Sequence, residues 1–499
     1  MNRWVHPSFA GNHSVLVGII FSTNQGDWHN CFGTPEWIIM NNQFSRRQFI
    51  QSASAVGIGV ATLDATGLAG FSANSKVNVL SIGVVGTIGG HDREQVAKHP
   101  AVEITGLCDV DSRSLAKASS DHPDAFTCKD YREAFDRYGD RFDAVIVSTP
   151  DHSHAPIMMT ALANDKHVYG QKPLVHQLEE LSMIDNAMIA KPDLVTQVGN
   201  QRMAYDGRRA AVEILRSGRL GKAVEAYAWT GSPNKGAYFN YDRTMSEPMT
   251  PPAHIDYDLW LGPCAETPYR DMMLPVKWRS WWDYGTGGLG DWGVHVLDVI
   301  LFGYDELQSP IAVKTHAPRP ADAFHTHPCL STLTYEVDSD RFAGRYFPLH
   351  YSDSGQTPSR AALGLPPGEW KDSNMTVVVC EGGVLALTAG GDLELWRDGV
   401  LTRGLDMPGL PKFPRINHWH AWVDNIIGKD TELRTPFRDG VRITEPALLA
   451  VKAARYPNTE LTWDRSRNMI TNHEEANATI VRRTYREGFA PPVIANVEG

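Results

Sequence analysis

The chain has 499 residues, 42% of them apolar and 21% charged, a composition typical of a globular protein with two or three domains. This composition excludes a wholly disordered, collagen-like or coiled-coil protein. The net charge of −11 argues against nucleic-acid binding, because phosphate contacts need a basic surface. The six cysteines form no Cys-x-x-Cys pair, which opposes a disulfide scaffold or a zinc–thiolate site. No apolar run reaches the roughly 18–20 residues that span a bilayer, so we predict no integral membrane span.

Residues 1–73 are predicted to be a leader rather than part of the fold. Phe44-Ser45-Arg46-Arg47-Gln48-Phe49-Ile50 precedes a weakly apolar run, Ala53–Leu63, and this order resembles a twin-arginine secretion signal. A short amphipathic helix with two surface arginines is the alternative. The resemblance implies export to the periplasm, with Met40 as the true start and residues 1–39 as a misassigned extension.

Residues 74–193 are predicted to form a dinucleotide-binding domain of the Rossmann type. β-rich runs at Val77–Val85, Val102–Val110 and Asp143–Thr149 alternate with segments of helical pattern. Such alternation is typical of βαβ units with a parallel sheet covered on both faces. A further strand is expected at Leu194–Val198.

A glycine-rich turn follows the first predicted strand and indicates a phosphate site. Gly83, Gly86, Gly89 and Gly90 lie where the chain passes from strand to helix, although their spacing departs from the usual dinucleotide motif. Asp109 ends the second predicted strand, where a carboxylate can accept the ribose hydroxyls of NAD. It would repel a 2′-phosphate, whereas nearby Arg113 leaves NADP open. The alternative for Asp109 is a helix N-cap.

Residues 194–499 are predicted to form a second, α+β domain with a large, mostly antiparallel open sheet. Strands are expected, among others, at Val224–Thr230 and Phe342–Phe347, and a C-terminal helix is expected at Asn472–Glu487. The segment Ser232–Thr267 is interpreted as a long loop that closes over a substrate.

Several motifs resemble the Gfo/Idh/MocA oxidoreductase family. They are Ser148–Leu174 (STPDHSHAPIMMTALANDKHVYGQKPL), Gln197–Gln201 (QVGNQ), Trp278-Arg279, Gly285–His295 (GTGGLGDWGVH), Asn417–Trp419 and Leu461–Asp464. The resemblance implies an NAD(P)-dependent oxidoreductase that acts on a sugar or polyol. It also implies a homo-oligomer assembled through the sheet of the second domain.

The resemblance assigns catalytic roles to Lys172, Asp291 and His295, and cofactor contacts to Thr149, Pro150, His154 and Lys172. The chemistry is consistent with these roles: an ammonium can stabilise a developing alkoxide, and a histidine can accept the hydroxyl proton. Asp291 and His295 are four residues apart on a predicted helix, so we expect the carboxylate to orient the imidazole and to favour its charged form.

Gln171 departs from the family pattern, which has Glu before Lys-Pro. The missing charge beside Lys172 keeps open a second function, an NAD-dependent glycosidase that oxidises, eliminates, hydrates and reduces. A non-catalytic sugar-binding protein is a third, less favoured hypothesis.

The remaining histidines and aromatic residues are less informative. His152/His154, His325/His327 and His418/His420 form His-x-His pairs, but no carboxylate or thiolate completes a ligand set, so no metal site is predicted. Some of the cluster Trp278, Trp281, Trp282 and Tyr284 is expected to line the substrate cleft.

Overall fold

The computed structural model describes residues 76–494 except 232–244, 272, 318–328, 354–356 and 405–408. The predicted leader, its twin-arginine motif and the pair His325/His327 lie outside the described residues. Within the described ranges no helix is long and apolar enough to cross a membrane.

The first domain contains a six-stranded parallel sheet. Its strands are β1 (Val77–Ile82), β2 (Val102–Cys108), β3 (Phe126–Cys128), β4 (Ala144–Val147), β5 (His167–Gly170) and β6 (Thr196–Val198). Their spatial order is β3-β2-β1-β4-β5-β6, the dinucleotide-binding order. The predicted Rossmann-type sheet is therefore confirmed. Its last strand lies beyond residue 193, so the sheet extends past the boundary expected between the two domains.

Helices connect these strands and cover both faces of the sheet. They are α1 (Gly89–Ala97), α2 (Ser112–Asp121), α3 (Tyr131–Tyr138), α4 (His154–Ala163) and α5 (Leu178–Ala190). All four residues of β4 are buried, as expected for a central strand with helices on both sides.

The second domain contains a ten-stranded, mostly antiparallel sheet, as predicted. Its strands are β7 (Ala223–Thr230), β8 (Ala312–His316), β9 (Leu330–Glu336), β10 (Tyr346–Asp353), β11 (Asn374–Cys380), β12 (Gly383–Thr388), β13 (Leu393–Arg397), β14 (Val400–Arg403), β15 (Glu460–Asp464) and β16 (Met469–Ile470). The order is β14-β13-β12-β11-β7-β10-β9-β8-β15-β16; among the strands that the structure describes in this sheet, only β7 and β10 pair in parallel.

The helices of the described second half are α6 (Asp206–Arg216), α7 (Tyr257–Leu261), α8 (Gly287–Gly303), α9 (His418–Ile426), α10 (Phe437–Lys452) and α11 (Glu474–Ala476). Helix α8 packs against β7, β10 and β11 and against α6 and α10. Apart from Asp291, His295 and Asp298, its residues are apolar or glycine, which is typical of a helix inside a core. The exceptions to its burial are Asp291 and Trp292, and both face the cavity described below.

The C-terminal region packs back onto the first domain through α9. Asn417 caps this helix by accepting hydrogen bonds from the backbone amides of Trp419 and His420, both at 3.1 Å. Trp422 and Val423 then lie in the same apolar cluster as β1 residues. This packing places α9 against α1. It also brings the Trp419 side chain of α9 into hydrogen-bonding contact with Asp92 of α1.

Two elements differ from the sequence predictions. Phe342 lies in the turn before β10, where the Val337 amide bonds the Arg345 carbonyl at 2.8 Å, so its apolar character reflects burial in a turn rather than a strand. The expected helix over 472–487 is limited to α11 and a π-turn at Asn477–Val481. The chain is extended from Arg482 because Glu180 holds Arg483 and Asp258 holds Arg486.

Candidate active site

A cavity of about 600 Å³ lies at the carboxyl ends of the parallel strands, between the two domains. Open α/β sheets bind ligands at this edge. Predicted site residues that line it are Gly83, Gly86, Asp109, Thr149, Pro150, Lys172, Asp291 and His295. The three predicted residues outside the lining are Gly89 and Gly90, which begin helix α1, and His154, which begins helix α4.

The glycine turn between β1 and α1 forms a narrow cradle. Gly83 has φ +81°, and a Cβ there would lie 2.5 Å from the Ser148 carbonyl oxygen. A Cβ on Gly89 would lie 2.0 Å from the Gly83 carbonyl oxygen. Helix α1 begins at Gly89, and its N-cap, Ile88, supplies no side-chain hydrogen bond. The Gly90 amide donates to the Val85 carbonyl at 2.8 Å, but this end of the helix still carries the positive pole of the helix dipole, which suits an anion such as a pyrophosphate.

Asp109 lies directly after β2, beside this cradle. Its carboxylate accepts hydrogen bonds from the backbone amides of Val84 and Asp111, both at 2.9 Å. Burial raises the pKa of Asp109 to about 6. The cap of α2 is Asp111, which accepts from the Arg113 amide, so the alternative interpretation of Asp109 as an N-cap is wrong. Each Asp109 oxygen keeps a second lone pair with which to accept a ribose hydroxyl.

His154 supports the cavity from below. Its two ring nitrogens each lie 2.8 Å from a backbone carbonyl, Nδ1 from that of Pro173 and Nε2 from that of Thr149. The imidazole thus ties the loop after β4 to the loop after β5. It acts on the cofactor cleft through these two loops and does not line the cavity itself.

Lys172 and Asp291 meet across the domain boundary. The Lys172 ammonium donates to Asp291 Oδ1 at 2.8 Å and to the Asp291 backbone carbonyl at 2.9 Å. Burial opposes ionisation of Asp291, but Lys172 and Arg279 outweigh it and hold the pKa of this carboxyl below its usual value. Asp291 therefore serves as the anionic partner of the lysine.

His295 has a different partner from the one expected. Its Nδ1 lies 2.9 Å from Asn200 Oδ1, whereas Asp291 is taken by Lys172 and Arg279. The prediction that Asp291 orients His295 and favours an imidazolium is thus wrong. Burial, followed by the charges of Lys172 and Arg202, holds the pKa of His295 well below its usual value.

The Asn200 contact also determines which nitrogen of His295 carries the proton. Asn200 Nδ2 donates to the Asp298 carboxylate at 3.0 Å and to the Val294 carbonyl at 3.3 Å, which leaves Oδ1 as the acceptor. His295 Nδ1 must then be the donor, and Nε2 of the neutral ring keeps its lone pair. Arg208 holds Asp298 in turn through a buried ion pair. The Nε2 lone pair of His295 is therefore the one available to accept a proton.

A buried carboxylate, Asp92, accounts for the glutamine before Lys172. Gln171 Nε2 donates to Asp92 Oδ2 at 2.7 Å, and Ser148 Oγ donates to the same oxygen at 2.9 Å. Trp419 Nε1, from α9, donates to Oδ1 at 2.9 Å. Burial raises the pKa of Asp92, which is fully enclosed. A carboxyl group thus lies next to Gln171, but it is carried by α1 rather than by the residue before Lys172.

The aromatic cluster divides between the cavity and the core. Trp278 lines the cavity, as does Trp292, which the sequence analysis did not single out. Trp281 and Tyr284 pack in a separate cluster with Trp260, and Trp282 belongs to the main core. In the described part of the chain, no group of three or more His, Cys, Asp or Glu side chains is placed to hold a metal ion.

Three residues of the site escaped sequence reasoning as individuals. Asn200 and Arg279 lie within stretches that resemble the family, so their motifs were the available signal. Asp92 is 79 residues from Gln171 and lies in no such motif. The contact of Asp92 with Gln171 exists only in the tertiary structure, where the residue after β5 meets the first turn of α1.

Two family profiles match this chain. Residues 77–199 match the "Oxidoreductase family, NAD-binding Rossmann fold", and residues 211–339 match the "Oxidoreductase family, C-terminal alpha/beta domain" of the same family. The chain belongs to the Gfo/Idh/MocA oxidoreductase family. As a member, it carries that family's NAD-binding domain, and the cradle and Asp109 described above fit that cofactor.

Relatives by sequence carry two kinds of name. Inositol 2-dehydrogenase of Rubrobacter xylanophilus is 29% identical over 155 residues, which is 30% of this chain and 43% of the relative. A glycosyl hydrolase family 109 protein of Shewanella putrefaciens is 30% identical over 171 residues, 28% of this chain and 36% of the relative. The chain thus spans about half or less of the length of these curated relatives.

Solved structures share the fold of this family member. WlbA dehydrogenase from Bordetella pertussis, in complex with NADH and UDP-GlcNAcA, superposes with a TM-score of 0.54 at 14% identity over 78% of this chain and 99% of its own. An inositol dehydrogenase homologue from Azotobacter vinelandii, complexed with NADH and myo-inositol, gives 0.54 at 15% identity over 78% and 98%.

The electrostatics of His295 can be tested by NMR. We expect its ring to remain neutral at the normal histidine pKa of about 6.5 and to gain a proton only at lower pH. Arg202→Gln removes a nearby positive charge and should raise the pKa of His295 without reaching the normal value. A pH titration of the histidine ring resonances measures both. Arg113→Gln, at the other end of the cavity, is the control and should leave the titration of His295 unchanged; a normal pKa in the native protein would contradict the geometry.

The pairing of Gln171 with Asp92 can be tested by unfolding. Gln171→Glu places two carboxylates together in a buried site, which should cost about 3 kcal/mol at about pH 8 and much less at about pH 5. The sign follows because the folded pair has raised pKa values: its penalty is absent when one group is protonated and appears as pH rises. Urea unfolding at both pH values measures it.

The double variant Asp92→Asn/Gln171→Glu is the matched control for this test. It restores one amide and one carboxylate and should regain most of the lost stability. Equal losses for the single and double variants would show that the two side chains do not interact.

Proposed function

We propose that this chain is an NAD-dependent oxidoreductase that transfers hydride between a hydroxyl-bearing carbon of a sugar or polyol and a tightly bound nicotinamide cofactor. The observation that carries the proposal is the single cavity that holds the glycine cradle and Asp109 at one end and Lys172 and His295 at the other. The names of the inositol dehydrogenase relatives support a polyol as substrate.

The chain's own residues supply the proton chemistry. His295 Nε2 accepts the proton of the substrate hydroxyl, since Nδ1 is committed to Asn200. The Lys172 ammonium donates a hydrogen bond to the same oxygen and stabilises its developing negative charge. Asp291 pairs with the ammonium at 2.8 Å and holds it in place. NAD, held by the glycine turn and Asp109, would supply the hydride acceptor for the oxidation of the hydroxyl to a carbonyl.

Several contacts support prolonged retention of the cofactor. At the adenosine end, Ile255 pairs with Asp111 of the loop after β2. The C-terminal segment adds Phe489 to the cavity lining, and the Arg132 guanidinium stacks on this ring at 3.8 Å. These segments cover the adenosine site from the second domain. NAD is favoured over NADP because the Asp109 carboxylate repels a 2′-phosphate.

Lys172→Met tests the proposal. It removes the ammonium but keeps an apolar stem of similar length, so hydride transfer to NAD should fall about 100- to 10,000-fold. NAD binding, measured by calorimetry, should persist. The matched control is Lys117→Met, an exposed lysine on α2, which should behave as the native protein does. An active Lys172→Met enzyme, or a native protein that does not bind NAD, would contradict the assignment.

The second candidate is an NAD-dependent glycosidase, and the glycosyl hydrolase family 109 relatives favour it. The same base and ammonium would then serve a transient oxidation, after which the glycosidic group is eliminated, water adds and the sugar is reduced again. Release of nitrophenol from nitrophenyl glycosides without net NADH formation would support it. Net NADH formation from polyols without such release supports the dehydrogenase.

We also propose export through the twin-arginine signal and assembly through the second domain's sheet. The Arg46-Arg47 motif supports export, and replacing both residues with Lys should retain the protein in the cytoplasm, as cell fractionation would show.

The face of β9 and β10 turned away from α8 carries Tyr346, which is 57% exposed, and supports self-association. Light scattering of the purified protein should give an oligomer mass; a monomer would contradict this.

A further inference from the structure

Arg279 is a cation that reaches the cofactor cradle from the other domain. It lies in a 3₁₀ turn, Lys277–Ser280, before α8. Its Nη2 donates to Thr87 Oγ1, within the glycine turn, at 3.4 Å, and its Nε lies 3.6 Å from Asp291 Oδ1. The side chain is 12% exposed and lines the cavity together with Gly86 and Ile88. A guanidinium is therefore held at the mouth of the phosphate cradle.

The position of Arg279 is held by local structure. The guanidinium stacks on Trp278 at 4.4 Å, and Nη1 donates to the Val276 carbonyl at 3.2 Å. A Cβ on Gly285 would lie 2.5 Å from the Arg279 backbone. Only glycine at position 285 therefore lets the following chain pack this closely against Arg279. These contacts leave the charged edge of the side chain directed at Thr87 and Asp291.

The first domain supplies little positive charge of its own at this point. The turn from Gly83 to Gly90 contains no Lys or Arg. Arg93 follows on α1, but it is buried and bonds the Val84 carbonyl and Asp121. Asp92 places a carboxylate in the first turn of α1, where it opposes the attraction of that helix end for anions. A cation supplied from the second domain would therefore strengthen the binding of a pyrophosphate at this helix end.

We propose that Arg279, supplied by the second domain, binds the pyrophosphate of the nicotinamide cofactor. The proposal rests on the NAD binding of the proposed function and adds a residue to it. Guanidinium groups pair with phosphate oxygens through charge-assisted, often bidentate hydrogen bonds. Asp291 contacts both Arg279 and Lys172. Through Asp291, Arg279 therefore links cofactor binding to the position of the catalytic ammonium.

A ligand series separates this role from others. Calorimetry of the full-length protein, dialysed free of nucleotide, would use adenosine, ADP-ribose and NAD. Arg279→Gln should weaken ADP-ribose and NAD about 10- to 100-fold, while adenosine, which lacks the pyrophosphate, should bind as to the native protein. Arg279→Lys keeps the charge without the planar fork and should lose less. The salt dependence of ADP-ribose binding should decrease in Arg279→Gln.

Arg113→Gln is the matched control because Arg113 lines the adenosine end of the same cavity. It should not alter the gain in affinity from adenosine to ADP-ribose. Undiminished ADP-ribose binding by Arg279→Gln, or an equal loss for adenosine, would overturn the proposal while leaving NAD binding intact. A native protein that binds neither ADP-ribose nor NAD would instead overturn the proposed function, and this proposal with it. Thermal unfolding of each variant checks that a loss of binding is not a loss of fold.

Discussion

The ion pair between Lys172 and Asp291 is the contact on which the rest of the site depends. It joins the end of a strand in the first domain to the first turns of α8 in the second, with two hydrogen bonds of 2.8 and 2.9 Å. Because an unpaired charge is costly in a largely enclosed position, each side chain constrains the position of the other. The pair thus bridges the two domains within the lining of the cavity.

This arrangement separates two roles that the sequence suggested were joined. Asp291 and His295 lie four residues apart on one helix, yet they serve different partners. The carboxylate compensates the ammonium, and the imidazole lies against a neutral amide among positive charges. A neutral histidine with its free lone pair at Nε2 is ready to accept a proton, whereas an imidazolium would be unable to do so.

The hydrogen bonds around Asp92 place a carboxyl group beside Gln171, where the family pattern has a glutamate. Ser148, Gln171 and Trp419 come from the ends of β4 and β5 and from α9, and all three donate to this carboxylate. The three hydrogen bonds favour the charged form of Asp92, but burial outweighs them and raises the pKa of this carboxyl. The cofactor cradle, the strand that carries Lys172 and the C-terminal region are thus connected through a single side chain.

Much of the fold followed from local patterns. The alternation of apolar strands and helices predicted the parallel sheet, since strands covered on both faces need continuous apolar runs. The failures lie where distant residues decide the local structure. The chain from Arg482 is extended because Glu180 and Asp258 hold its arginines. The spacing of apolar residues along the sequence does not predict such contacts.

The sequence by itself determined the class of fold, the position of the glycine turn and the identity of Lys172, Asp291 and His295 as candidates, because each of these is written in a short stretch of chain. Tertiary structure alone decided which of these groups pair. Asn200 meets His295, Asp92 meets Gln171 and Arg279 meets Thr87 across separations of 95, 79 and 192 residues. The charge and proton position of a side chain depend on its neighbours in space, and those neighbours exist only after the two domains have packed together.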